Sequence, residues 1–165
     1  MKGCITMKKI ITLFLLFSTL SIFGNNISLK KLNQEIELSK NLGNHEACIK
    51  LVCNFLAQPN ITSAEKYEAY VLKSAIYRRL YKYEHALHFL DLALKEGIKG
   101  NNRATAEQEI KAERSFIYFD KQAFDTSEKL TSELEATGYR NLEPKYLLFL
   151  YTQKGYFLLK RKEYA

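Results

Sequence analysis

Three groups of residues have types and spacings that chemistry would need. Glu84, His85, His88 and Asp91 fall within eight positions. On a helix, separations of three and four turn His85, His88 and Glu84 toward one point, as part of a metal shell would require. The pattern offers no third ligand from another element, so the expectation is a solvated helix face and no metal. Glu107, Glu109, Glu113 and Asp120 form a second group. Paired carboxylates do acid–base work when a pocket shifts the pKa of one of them. Lys111 and Arg114 interleave these acids, which predicts a solvated face with local charge pairs. Cys48 and Cys53 are five apart, about 140° on a helix, too divergent to bond each other. The third cysteine, Cys4, lies in the N-terminal 24 residues, so these two make no metal set, and both are expected as small apolar core residues.

Other signatures of catalysis are missing. The seven glycines never gather three within six residues, so no phosphate-cradling loop is written here. No serine, cysteine or threonine stands in a nucleophile motif. The chain therefore reads as a non-enzyme that needs no cofactor.

The elements that would position these residues are helices. Of 165 residues, 47% are apolar and 26% charged, with two prolines, a balance that excludes a disordered tail and disfavours a turn-rich β fold. Helical periodicity predicts segments at about 29–42, 44–57, 63–80, 83–97, 103–121, 124–138 and 142–161. Gly43-Asn44, Pro59-Asn60, Gly97, Gly100 and Gly138 punctuate them, Thr62 and Glu65 have capping-box spacing, and Asn141 can cap the last helix.

Residues 1–24 read as a signal peptide. Lys2, Lys8 and Lys9 precede an apolar run from Ile10 to Phe23, and Gly24 offers a small residue before Asn25. Met7 is an alternative start. Export to the periplasm or envelope follows, with membrane contact only through this segment if it stays uncleaved. Without those three lysines, 22 basic residues face 18 acidic ones, a net +4. The basic runs Arg78-Arg79 and Lys160-Arg161-Lys162 are too short for a nucleic-acid footprint, and none is expected.

The helices repeat. Ser74, Ser115 and Gly155 are 41 and 40 apart, and so are Tyr77, Tyr118 and Leu158; Tyr83, Phe124 and Tyr164 are likewise 41 and 40 apart. His45, 38 before Tyr83, is a plausible earlier member of that column. A small residue lets the paired helix approach, an aromatic packs across the contact, and a second aromatic anchors the next helix after a short turn. In these columns the chain resembles the tetratricopeptide repeat family. Its best copy is 67–100, with Tyr70, Ser74, Tyr77, Tyr83, Ala86, Leu90 and Ala93 in the packing positions. Further copies lie at 29–62, 108–141 and, broken off, 148–165, which gives a repeat domain over 25–165.

The resemblance implies an all-α right-handed solenoid of antiparallel helix pairs and a protein- or peptide-binding role. Its groove positions map to Val71, Ala75, Arg78 and Arg79, to Ala112, Phe116 and Phe119, and to Thr152, Tyr156 and Leu159. The aromatics among them are equally readable as packing between repeats. The resemblance also implies the sensor part of a longer signalling or transcription-regulatory protein, the chain ending inside its fourth repeat. The rival readings are a small-molecule or glycan-binding protein or enzyme using the groove, and a structural subunit of an envelope assembly.

Overall fold

The computed structural model describes residues 27–100, 103–140 and 142–161, and among them every regular element is an α-helix. These are α1 (Leu29–Asn41), α2 (His45–Leu56), α3 (Ser63–Arg79), α4 (Tyr83–Lys99), α5 (Arg103–Asp120), α6 (Phe124–Ala136) and α7 (Pro144–Arg161). The seven agree with the segments expected from periodicity. Residues 1–24, read from sequence as a signal peptide, and Asn141 and Tyr164 lie outside the described residues.

Local chemistry sets the boundaries. Ser28 caps α1 by accepting from the Lys31 amide at 3.3 Å, and Asn44 caps α2 through the Ala47 amide at 3.0 Å. Thr62 and Glu65 close a full capping box at α3. The hairpin turns α1–α2, α3–α4 and α5–α6 share one geometry. Gly43, Tyr81 and Gln122 all sit in the left-handed region, with φ of 69°, 57° and 62°. In each turn the following amide reaches back five residues: Asn44 to Ser39 O, Lys82 to Tyr77 O and Ala123 to Tyr118 O, at 2.8–3.0 Å.

Gly97 departs from the sequence reading. It does not end its helix, since α4 continues to Lys99. Its missing side chain serves packing instead: a Cβ there would lie 2.6 Å from the Ala106 Cβ and 3.0 Å from the Tyr67 ring.

Each helix packs mainly on its neighbours in chain order, with an added contact between α5 and α7. Pairing is antiparallel. Along α3 and α4, Tyr77 stacks on His85 and Tyr70 on Phe89, while Tyr67 meets Gly97. Three cores follow from this order, each spanning three successive helices. Leu32, Ile36, Val52, Phe55 and Ile76 join α1 to α3; Tyr67, Ala86, Leu90, Ala93, Ile110 and Ile117 join α3 to α5; Phe116, Leu134, Tyr146 and Leu150 join α5 to α7. Burying one such Leu, Ile or Phe is worth about 1.5–3 kcal/mol.

The small-residue column behaves as expected twice. Ser74 and Ser115 are buried under α4 and α6. Gly155, the third member, is open: a Cβ there would touch nothing. Leu158, expected to pack, is 37% exposed, at the rim of a shallow cleft between α6 and α7. Tyr83 and Phe124 are half-buried at the starts of α4 and α6, and the Tyr83 hydroxyl donates to Asp120 O at 3.1 Å.

Candidate functional site

The first helices of the pairs, α3, α5 and α7, lay their side chains against one another on a common face. At one end of it the contacts are aromatic. The Arg78 guanidinium lies 5.8 Å from the Phe116 ring centre and pairs with Asp120 at 3.6 Å. Phe116 meets Phe149 at 5.0 Å, and Phe119 meets Phe124, Tyr156 and Phe157 edge-on at 5.1–5.8 Å. Phe149 and Tyr156 remain 51% and 39% exposed.

The groove positions expected from sequence divide on this face. Val71, Ala75, Arg78 and Phe119 are half-buried, and Arg79, Thr152, Tyr156 and Leu159 are exposed. Ala112 and Phe116 belong to the core at 0% and 4% exposure, so neither offers a free surface. Their positions on α5 put them under α6 and α7, which a mapping from one helix pair alone does not see. Thr152 spends its hydroxyl on Leu148 O of its own helix.

The other end of the face is acidic, and of the four acids expected on a solvated face Glu109 and Glu113 depart from that reading. Glu107 and Asp120 are solvated, Glu107 paired with Arg103 at 2.7 Å. Glu109 is 7% exposed and accepts a 2.5 Å hydrogen bond from the Tyr67 hydroxyl, forty-two residues away. Glu113 is drawn inward beside it. The interleaving cations do not serve these acids: Lys111 pairs with Glu133 and Arg114 with Asp91, both on other helices.

Burial dominates the electrostatics. Desolvation holds the Glu113 carboxyl above its usual range, with Arg78 and Lys145 opposing and Glu109 reinforcing the shift. Glu68 is raised by the same cause. Desolvation, followed by the neighbouring carboxylates, pushes the Tyr67 and Tyr146 hydroxyls upward, so both stay protonated donors. Lys145 is desolvated too, yet its hydrogen bond to Glu143 and the fields of Glu143, Glu109 and Glu68 raise its pKa.

Beside this cluster opens a cleft of about 390 Å3 between α3, α4, α5 and the approach to α7. Five glutamates line it (Glu65, Glu68, Glu96, Glu109 and Glu143), over apolar walls that include Leu29, Ala64 and Ala106. The sequence carried one usable signal for it. Glu68 and Glu109 are 41 apart, the same step as Ser74 to Ser115, so the period itself puts two carboxylates on one face.

No family model, curated protein or solved structure matches this chain. Function therefore has to be read from the geometry.

The remaining candidates are dispersed. His85 and His88 are exposed, His85 stacked on Tyr77 and His88 edge-on to Phe89, while Glu84 pairs with Lys121 and Asp91 with Arg114. Among the described residues no three His, Cys, Asp or Glu side chains gather as a metal site. Cys48 is buried as expected, but Cys53 is exposed, its sulfur 3.2 Å from the Lys73 ammonium. Among the described residues no helix is long and apolar enough to cross a membrane.

Proposed function

We propose that this chain is a tetratricopeptide-like right-handed solenoid of the bacterial envelope that binds a protein or peptide along the α3–α5–α7 face and catalyses nothing. Residues 1–24 direct its export and are removed, and the exported domain serves as the sensing part of a signalling or regulatory protein. The observation that carries this reading is the face itself. Side chains from the first helix of three successive pairs adjoin there, with Phe149 and Tyr156 presented to solvent beside Arg78. The recurring hairpin turns and the buried Ser74 and Ser115 support the repeat assignment. A preformed face of this kind suits an extended or helical peptide with an apolar anchor.

The test is selection from a random peptide library displayed against the full chain. Peptides that bind wild type and lose at least about tenfold in affinity for Phe149→Ala, at unchanged thermal stability, support the reading. An empty selection, or binding indifferent to Phe149 and Tyr156, refutes it. For export, the intact mass of the protein made in a bacterial host should show a chain starting near Asn25.

A further inference from the structure

The repeat gives α7 a face for which the rest of the molecule shows the natural covering. In steps of 41 and then 40 residues, Tyr70, Lys111 and Tyr151 share one position, as do Ser74, Ser115 and Gly155, and Tyr77, Tyr118 and Leu158. On α3 and α5 this face meets the antiparallel helix of the same pair. Tyr70 stacks on Phe89, and Tyr77 on His85 and Phe89, all from α4. In the next pair Lys111 bonds Glu133 of α6, and the Ser127 hydroxyl of α6 donates to Ser115 O at 2.9 Å.

On α7 the same face looks outward. Leu148, Tyr151, Leu158 and Leu159 are 37–70% exposed, and a Cβ on Gly155 would touch nothing. Six of the ten large apolar side chains exposed among the described residues stand on this one helix. Leu148, Tyr151, Gly155 and Leu158 follow at intervals of three, four and three, the spacing of a seam that packs against another helix. Thr152 beside it spends its hydroxyl on Leu148 O, so the seam asks for no polar partner.

Area and charge select the occupant. At roughly 150–250 Å2 for a whole large side chain, the exposed parts of Leu148, Tyr151, Leu158 and Leu159 offer about 400 Å2. Interfaces are about 60% apolar, so two such faces together bury about 1,300 Å2, inside the range of about 1,200–2,000 Å2 for stable complexes. Four cations and no acid lie on α7, but each cation is engaged within its own copy. Lys145 bonds Glu143, Lys154 bonds Glu135, Arg161 bonds Glu128, and the Lys160 ammonium lies over the Phe124 ring. Like charge therefore does not keep two copies apart.

We propose that α7 pairs with α7 of a second copy, antiparallel about a two-fold axis at Gly155, and so joins two stacks end to end. The arrangement is self-complementary, as a two-fold interface must be. Tyr151 of each copy meets Leu159 of the other, Leu158 meets Thr152, and the two glycines let the backbones come close at the axis. Phe149 and Tyr156 stand on the flank turned to α5, where they meet Phe116 and Phe119. The pairing thus goes beyond the peptide-binding reading and does not rest on it.

Sedimentation equilibrium of the full chain, from micromolar to millimolar concentration, reads the association directly. A monomer–dimer equilibrium with no larger species is expected. Gly155→Arg sets two cations face to face at the axis and should weaken the dimer about tenfold or more, as changes at the centre of an interface do. It should do so without lowering the melting temperature of dilute, monomeric protein, since it replaces a helical glycine at a place with no neighbour. Leu159→Glu should weaken the dimer similarly, whereas Leu42→Glu, exposed at the far end of the stack, should leave it intact. A monomer at every concentration, open-ended association, or a dimer indifferent to both α7 variants overturns the proposal. A monomeric chain that still captures peptides through Phe149 sinks the dimer and leaves the peptide reading standing; a Gly155-dependent dimer without peptide capture does the opposite.

Discussion

Replacing Gly97 by alanine tests the tightest joint in the molecule. The new methyl would stand 2.6 Å from the Ala106 Cβ and 3.0–3.2 Å from two carbons of the Tyr67 ring. Ordinary carbon contacts are about 3.5–4.0 Å, so α4 and α5 must part by about 1 Å, and neither methyl has a torsion with which to yield. Overpacking of this kind costs about 1–3 kcal/mol. Against it, alanine in place of a helical glycine gains about 0.5–1 kcal/mol. The net expectation is a loss of about 1–2 kcal/mol, at about 2–4 °C of melting temperature per kcal/mol for a chain of this size. Thermal and urea unfolding of Gly97→Ala, Ala106→Gly and the double variant form the assay. Ala106→Gly alone should cost about 1 kcal/mol in helix propensity. In the Gly97→Ala background the same change should recover stability, since it moves the methyl across the contact instead of doubling it. A Gly97→Ala protein more stable than wild type, with additive effects in the double variant, would refute the close approach of α4 and α5.

Two further outcomes follow from buried polar groups. The Glu113 carboxyl has a raised pKa in the folded chain through desolvation, so the folded state takes up its proton before the unfolded state does. Stability should therefore increase as the pH falls through the folded pKa and level off below the unfolded value, about 4.3; Glu113→Gln should be more stable than wild type at neutral pH and lack this step, as urea midpoints from pH 7 to 4 will show. Gln153 is 4% exposed, accepts from the Ser115 and Thr131 hydroxyls at 3.1 and 3.2 Å, and donates to Ser115 O at 3.3 Å. Gln153→Leu should cost about 1–3 kcal/mol and speed hydrogen exchange in α7 before that in α3 or α4.

The helices were legible because their punctuation is strong. Thr62 with Glu65, Gly43 before Asn44, and an aromatic opening α4 and α6 mark ends by local chemistry that tertiary packing does not override. Gly97 was misread as a stop because a glycine that ends a helix and one that admits a neighbour look alike until Ala106 and Tyr67 are placed beside it. The acidic end of the face was hidden for a related reason. Lys111 and Arg114 seem to neutralise Glu109 and Glu113 along the chain, but helix geometry turns those cations toward Glu133 and Asp91 instead. Which side of α5 is covered is decided by α3 and α7, elements 42 residues before and 37 after Glu109 at Tyr67 and Tyr146. Phe116 and Ala112 sank into the core for the same reason.

The shared geometry of the three hairpin turns bears on how such a chain can change. The apex is glycine in one turn, tyrosine in the next and glutamine in the third, although a side chain in the left-handed region costs about 1–2 kcal/mol. The flanking helices, not the apex residue, dictate the joint. Between successive apices the step grows from 38 to 41 residues, and the difference is taken up away from the hairpin. The second helix lengthens from 12 residues in α2 to 17 in α4, and the connection that follows shortens. Antiparallel pairing puts the hairpins along one edge of the molecule and these variable connections along the other. The acidic cleft opens on the variable edge, among the beginnings of α3 and α5, the end of α4 and the approach to α7. Mutation can therefore remodel the cleft at this end of the protein while the joints between paired helices stay untouched. Evolvability and architecture occupy opposite edges.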